Sequence, residues 1–302
     1  MVKKFPFSAN RNRAVSGLVR FLVVSLLVAA CACVPAVANP AIQITQCGTV
    51  ISQPGHYILA NDLSCGGPVP TARVVPSSSL LPTAPVILKQ APTGGATDGI
   101  DIVADHVDLL LNGHTIAGSS NNTGISVGVG VPSGNSHVHI IGPGTITGFQ
   151  AAIGFEQVSH SSVSDVTATN NFAGFVAGGG FTTGCALACP STQDDFQGNT
   201  AIQNEASFLL QGANDSTFGD NNASGAFGGI VVFIGTGNDV RENTTSGNQI
   251  GILVFAGNGE NDITHNTAQN NAMVDLEDDN TNCGSNTWKH NAFGTATQPC
   301  IQ

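Results

Sequence analysis

Basic residues are scarce in this sequence: nine Lys and Arg stand against 20 Asp and Glu in 302 residues. Five of the nine (Lys3, Lys4, Arg11, Arg13 and Arg20) sit in the N-terminal leader. Beyond residue 38 only Arg73, Lys89, Arg241 and Lys289 are left, a formal charge of −16 (4 − 20). Nucleic acids and anionic membranes both require clustered Lys or Arg, so the composition makes them poor partners, and no nucleic acid is expected. It also disfavours polyuronates, unless a cation bridges the acids. Long apolar runs are lacking too. The one present, Phe21–Val34, is too short to span a bilayer comfortably, so no transmembrane helix is expected in the mature chain. No CxxC pair occurs, which disfavours a structural zinc site.

The first 38 residues read as a signal peptide. A basic leader precedes the apolar run, and Ala36-Val37-Ala38 supplies a small-x-small cleavage signal. Val28-Ala29-Ala30-Cys31 also fits a lipoprotein box, with Cys31 as the acylated residue. Either reading exports the chain, to the periplasm or beyond. Cleavage after Ala38 leaves 264 residues (302 − 38) with six cysteines: Cys47, Cys65, Cys185, Cys189, Cys283 and Cys300. An even count in an exported chain points to disulfides. Sequence proximity favours 47–65, 185–189 and 283–300, although six cysteines allow 15 pairings.

The strongest pattern is a repeat. Five hydrophobic residues each precede an asparagine by three positions: Phe196/Asn199, Phe218/Asn221, Val240/Asn243, Ile263/Asn266 and Trp288/Asn291. The asparagines are 22, 22, 23 and 25 residues apart. A period of this size marks a stacked solenoid. Five segments start alike, at Ala152, Phe208, Ile230, Ile252 and Val274. They are short, β-rich runs bounded by Gly, Asn, Asp and Ser, too frequently interrupted for helices. Placing Asp275 and Glu277 outside puts Val274 and Leu276 inside, and stacking puts Phe208, Leu210, Ile230, Val232, Ile252 and Val254 inside with them. The five asparagines then occupy one turn in successive coils, about 4.8 Å apart. Their amides can donate to one coil and accept from the other, and asparagine tolerates a left-handed turn. Asn204, Asn248 and Asn271 form a second partial stack.

Residues 39–97 form an opening cap with a Pro-, Ser- and Thr-rich loop at 66–97, and the solenoid runs from 98 to 302, with about eight or nine coils. Between Ala177 and Asp195 the period breaks for an extended loop.

These features resemble the right-handed parallel β-helix proteins of the pectate-lyase-like superfamily, and within them exported bacterial repeat proteins. Cys47-Gly48-Thr49-Val50-Ile51 and Pro54-Gly55-His56-Tyr57-Ile58-Leu59 look like their opening; Val107–Ile116 looks like a first coil; Asn282-Cys283 through Pro299-Cys300 looks like a closing cap. The resemblance implies an all-β, single-stranded right-handed parallel β-helix. It carries no catalytic residue across, because the wider superfamily spans lyases, hydrolases, epimerases, adhesins and copper-site assembly helpers, and no complete signature of any is present.

Four sets of residues bear chemistry. Aligning Val107 with Val138 brings His106 beside His137 and Asp108 beside His139, a set able to bind zinc or copper or to transfer protons. Asp275, Glu277, Asp278 and Asp279, with Glu260 and Asp262 a coil earlier, supply hard oxygen ligands suited to Ca²⁺; no cofactor is otherwise required. Ile153, Phe155, Phe175, Leu209, Val231, Phe233, Leu253 and Phe255 form an outward apolar column, with Phe155, Phe233 and Phe255 the candidates for stacking on sugar or contacting a partner. Arg241 with Asp239, and Asp194-Asp195 on the long loop, are the candidate catalytic set, since lyases and hydrolases combine carboxylates with a base. Four Asn-x-Ser/Thr sequences, at Asn121, Asn214, Asn222 and Asn243, read as turn sequences in a bacterial-type chain.

The scarcity of Lys and Arg favours a non-catalytic surface that binds polysaccharide or a surface protein. A polysaccharide lyase, epimerase or hydrolase is the alternative, and periplasmic metal handling through the histidines is third.

Overall fold

The computed structural model describes residues 41–66, 98–118, 122–131, 133–179 and 190–302. The leader with Cys31, the Pro-rich loop from 67 onward, and Cys185 and Cys189 lie outside the described residues.

Each turn of chain lays down three short strands, and every pairing between turns is parallel. One coil runs Asp195–Gln197, Thr200–Ile202 and Ala206–Asn214; the next runs Thr217–Gly219, Asn222–Ser224 and Gly228–Thr236. Phe196 pairs with Phe218, Ala201 with Ala223, and Phe208 with Ile230. The following coils repeat the pattern through Val240, Ile263 and Trp288. The strands join into sheets of 17 and 12 members. This is a right-handed parallel β-helix.

The interior is one continuous column of side chains. Phe196 and Phe218 stack with ring centroids 4.8 Å apart, and Phe175 stacks on Phe208 at 4.9 Å. Phe208, Leu210, Ile230, Val232, Ile252, Val254 and Leu276 all face in and are fully buried. Each such side chain stabilises the fold by roughly 1.5–3 kcal/mol.

The turns follow one rule. A residue with positive φ comes first, and the residue after it points inward. Gly198, Asp220, Glu242, His265 and His290 have φ of 53–66° and directly precede Asn199, Asn221, Asn243, Asn266 and Asn291. The left-handed position therefore belongs to the residue before each asparagine. The asparagine itself is free to bond. Asn221 Nδ2 donates to Phe196 O at 2.8 Å and to Asn243 Oδ1 at 3.0 Å, and Asn221 Oδ1 accepts from Asn199 N at 2.9 Å. Asn243 and Asn266 repeat the scheme. Asn171, Asn204, Asn248 and Asn271 line a second turn in the same way. A third turn carries Ser161, Asp194, Ser216, Asn238, Asn261 and Asn286. These bonds satisfy backbone groups that the narrow turns would otherwise bury unpaired.

Disulfides Cys47–Cys65 and Cys283–Cys300 link residues near the two ends. Beyond the last coil, Leu276 N donates to Thr295 O and Asn291 N to Gln302 O.

Three orientations differ from the alternation read in the sequence. Ile153, Phe155 and Phe175 point into the core rather than out, because Ile153 pairs with Phe175 and Phe175 with Phe208. Ala152 is therefore not the counterpart of Phe208; the sequence alignment was slipped by one residue, which reverses every side chain. Val274 pairs with Ile250 and packs outside the core, not within it. Asp275 is buried rather than outward. It follows the column Gly174, Ser207, Gly229 and Gly251, in which a Cβ at each of the three glycines would meet the carbonyl of the next coil at 2.4–2.5 Å. At the end of the column no further coil intervenes, and a carboxylate fits.

Candidate functional site

One sheet presents an unbroken outward column of polar residues. Strand pairing places His56 beside Asp108, Asp108 beside His139, His139 beside Ser162 and Ser162 beside Asp195. The column continues through Thr217, Asp239, Asp262 and Thr287. Alternation forces this arrangement: each member is followed by a core residue, such as Tyr57 after His56 or Phe196 after Asp195. A parallel column runs beside it, two residues further along each strand. It begins apolar, with Ile58, Leu110 and Ile141, and continues with Ser164, Gln197, Gly219, Arg241, Thr264 and Lys289.

Neighbouring rungs bond in pairs. His56 Nδ1 lies 2.8 Å from Asp108 Oδ2, and His139 Nδ1 lies 2.8 Å from Ser162 Oγ. Arg241 Nε lies 2.9 Å from Asp239 Oδ2, an ion pair without the alignment of a hydrogen bond. Arg241 Nη1 is 4.0 Å from Glu242. Partial burial raises the Asp239 carboxyl above the usual range, the Arg241 charge opposes this, and Asp262 and Glu242 add to it. Burial raises Asp195 as well, with Arg241 again pulling down. Arg241 thus sits between two carboxylates that burial disfavours.

Gly219 interrupts the second column. A side chain there would meet nothing nearer than Arg241 O at 3.8 Å. Gly219 is buried beneath its neighbours, with Thr217 Cγ2 at 3.9 Å and Arg241 Cγ at 4.0 Å from the position of that missing side chain; Gln197 and Arg241 adjoin it along one column, and Asp195, Thr217 and Asp239 lie along the other. The sequence reading named Asp195, Asp239 and Arg241 but missed Thr217, Gly219 and Gln197, whose role is visible only once strand register is known.

The remaining candidates do not join this face. Asp194 lies inside the third turn, 1% exposed, where its Oδ1 accepts from Ser161 N at 2.9 Å. It is not a surface partner of Asp195. His106 and His137 stack face to face with centroids 4.8 Å apart and planes 3° apart, and His160 continues the stack at 5.5 Å. All three are left-handed turn residues. Asp108 and His139 stand on the adjoining strand, so the four residues do not converge on one point. The acidic set is divided as well. Asp275 accepts from Asn271, Gly294 and Thr295, and Asp278 accepts from Asn280, Asn286 and Trp288. Both are committed to closing the solenoid, which removes them from a calcium site and leaves Glu277 and Asp279 outside. Burial raises Glu277, with Asp279 adding to it, and burial raises Asp279, with Asp278 adding to it.

Leu209, Val231 and Leu253 do point outward, but they form a second apolar cluster and are at most 7% exposed. Phe233 and Phe255 flank it half-buried, with rings in a T-shaped contact at 5.3 Å. Phe155 belongs to the core, not to this stripe.

Fold and face together define a parallel β-helix protein with a long polar face. Residues 96–298 match the family described as periplasmic copper-binding protein (NosD), and the chain belongs to that family; it is a periplasmic or secreted protein. Among solved structures it is similar to the A-module of the mannuronan C-5 epimerase AlgE4 of Azotobacter vinelandii, at 17% identity and a TM-score of 0.31, covering 70% of this chain. The chain spans 64% of that module's length. It is also similar to endopolygalacturonase I of Stereum purpureum, at 12% identity and a TM-score of 0.33, covering 88% of this chain and 92% of the enzyme. The A-module of AlgE6 from Azotobacter vinelandii aligns at 10% identity and a TM-score of 0.33, covering 86% and 92%. No curated protein matches the chain.

The family description raises copper. Among the described residues, no three His, Cys, Asp or Glu side chains gather into a metal-binding group. The stacked imidazoles present faces rather than converging nitrogens, His139 Nδ1 is held by Ser162, and His56 Nδ1 by Asp108. The four described cysteines are oxidised in disulfides, and Met273 stands alone and exposed. Soft or imidazole ligation of copper requires convergence that these residues lack. No helix among the described residues is long and apolar enough to cross a membrane.

Proposed function

We propose that the protein is an exported, non-catalytic scaffold whose polar face binds an extended neutral glycan. The observation that carries this reading is the column His56–Asp108–His139–Ser162–Asp195–Thr217–Asp239–Asp262–Thr287, in which every rung offers a hydrogen-bonding group. The rungs recur at about 4.8 Å, a spacing comparable with the length of one sugar ring in an extended chain. Hydroxyl-rich polymers suit such a surface because each ring presents donors and acceptors at the same repeat. Gly219 leaves the second column without a side chain at this rung, so a ring can lie flat against Thr217 and Arg241 there.

Charge selects against uronates. Arg241 and Lys289 are the cationic side chains of Lys or Arg type on the two columns, against Asp108, Asp195, Asp239 and Asp262. The Arg241 charge is already shared with Asp239 and Glu242. A polyuronate would bring further negative charge to a face that lacks a counter-charge.

The test is a glycan array with neutral, acidic and amino polysaccharides, run beside reducing-end and unsaturated-product assays. Binding of neutral glycans without turnover, lost in Gly219→Gln, supports the reading. Turnover that disappears in Arg241→Ala replaces it with a polysaccharide-acting enzyme, and no binding to any glycan leaves a protein partner as the ligand.

A further inference from the structure

One buried carboxyl has a position that the glycan-binding face does not explain. The third turn is a ladder in which each backbone N–H donates to the inward side chain of the next coil. Ser216 N donates to Asn238 Oδ1 at 3.2 Å, Asn238 N to Asn261 Oδ1 at 3.0 Å and Asn261 N to Asn286 Oδ1 at 3.1 Å. The amide nitrogens of these asparagines donate backwards. Asn238 Nδ2 bonds Ala213 O, Asn261 Nδ2 bonds Gly235 O and Asn286 Nδ2 bonds Asn258 O. In each case the acceptor lies three residues before the preceding rung: 213 before Ser216, 235 before Asn238, 258 before Asn261.

Asp194 occupies one rung of this ladder. Its Oδ1 accepts from Ser161 N, as an asparagine Oδ1 would. Its Oδ2 stands where the asparagines carry a donor, and it is buried with no hydrogen-bond partner. The same offset of three residues before Ser161 names Val158 O as its counterpart. Two oxygens facing each other there repel, unless the carboxyl carries a proton. With that proton, O–H donates to the carbonyl and the acid reproduces an asparagine.

We propose that Asp194 is a proton-operated rung: neutral, it completes the ladder in place of asparagine; ionised, it releases the turn behind the polar face. The rung reaches that face through the backbone. Asp195 N donates to Ser161 O and Thr217 N to Asp194 O, and Ser162, Asp195 and Thr217 are the face residues that directly follow Ser161, Asp194 and Ser216. The proposal does not depend on what the face binds.

The titratable residues on the three packed turns are His160, Asp195 and Asp215, beside Ser161, Asp194 and Ser216; His160 and Asp215 are exposed, and Asp195 is directed to the outer face. Glu156 is buried earlier on the Ser161 coil. None of these charges moves Asp194: burial raises it to about 8, against the Ser161 N–H, which lowers it. An unfolded aspartate titrates near ~3.9. The folded chain therefore holds a proton that the unfolded chain has lost, and stability falls as pH rises from about 4 to about 8.

The experiment compares urea unfolding of the wild type with Asp194→Asn and Asp194→Ser from pH 4 to 9.5, together with hydrogen exchange and a carboxyl carbon-13 titration. The folding constant of the wild type is expected to fall relative to Asp194→Asn by up to about tenfold per pH unit over that range, then level off. Exchange at Ser162, Asp195 and Thr217, corrected for its intrinsic rate, is expected to accelerate near pH 8 in the wild type and not in Asp194→Asn. Asp194→Ser, which copies its neighbours Ser161 and Ser216, is expected to share the flat pH profile. A carboxyl signal of Asp194 that titrates near pH 4, or variants that follow the wild type at every pH, would overturn the proposal. If neither variant folds, the wild-type carboxyl titration decides alone.

Discussion

Asp278 Oδ2 accepts the indole N–H of Trp288 at 2.8 Å, and this bond closes the end of the hydrophobic core. Asp278 pairs in register with the core residue Val254, so a carboxylate stands where the next apolar layer would begin. Asn280 and Asn286 donate to the same group. A charge is tolerable there because its oxygens are saturated by donors. Asp278→Ala is expected to cost about 2–4 kcal/mol, because it strands the Trp288 and Asn286 donors. Urea unfolding followed by Trp288 fluorescence, the one tryptophan of the chain, measures it.

Asp275 predicts acid sensitivity. Burial opposes its ionisation, yet hydrogen bonds from Asn271, Gly294 and Thr295 prevail and hold it below the ordinary value. The contribution is therefore complete above the unfolded aspartate value near ~3.9 and is lost as pH falls through the lower folded value. Asp275→Asn is expected to lessen the loss of stability below about pH 4, measured by thermal melts between pH 2.5 and 6.

The asparagine ladder predicts a gradient of cost. Asn221 is 2% exposed and both donates to and accepts from its neighbours. Asn221→Ala is expected to destabilise by about 3 kcal/mol or more, since several buried backbone groups lose their partners. Asn291, at the exposed end, is expected to cost about 1 kcal/mol. Equal losses at the two positions would contradict the ladder as a load-sharing column.

Much of this fold is legible in the sequence because the ladder fixes a 22-residue spacing that no loop between Phe196 and Asn243 disturbs. The paired columns of Phe196, Phe218, Val240, Ile263 and Trp288 follow from it directly. The register of the earlier coils is less accessible. The stretch between Ala177 and Asp195 interrupts the period, and a slip of one residue at Ala152 turned Ile153, Phe155 and Phe175 outward. Asp275 differs for another reason: an acid belongs in solvent by its charge, whereas the end of a solenoid offers donors without another coil above. The site was partly visible. Asp195, Asp239 and Arg241 announced themselves by charge, while Thr217 and Gly219 are ordinary residues until strand pairing sets them between those charges. Asp194 and Asp195, adjacent in sequence, point to opposite sides of the wall.

Adding a side chain at Gly219 separates binding from folding. Gly219 has no positive φ, and a side chain there would meet its neighbours only at ordinary contact distance, 3.8 Å or more. Gly219→Gln is expected to leave the unfolding midpoint within about 0.5 kcal/mol of wild type. Glycan affinity is expected to fall tenfold or more, read by calorimetric titration.

A glycan held by the polar face lies along its strands. Hydrogen-exchange footprinting of the protein with its best-binding neutral glycan tests this most directly. Protection is expected along the strands from His56 through Asp195 and Thr217 to Thr287, strongest on either side of Gly219. Protection confined to the Leu209–Val231–Leu253 stripe, or to the ends of the solenoid, would contradict it.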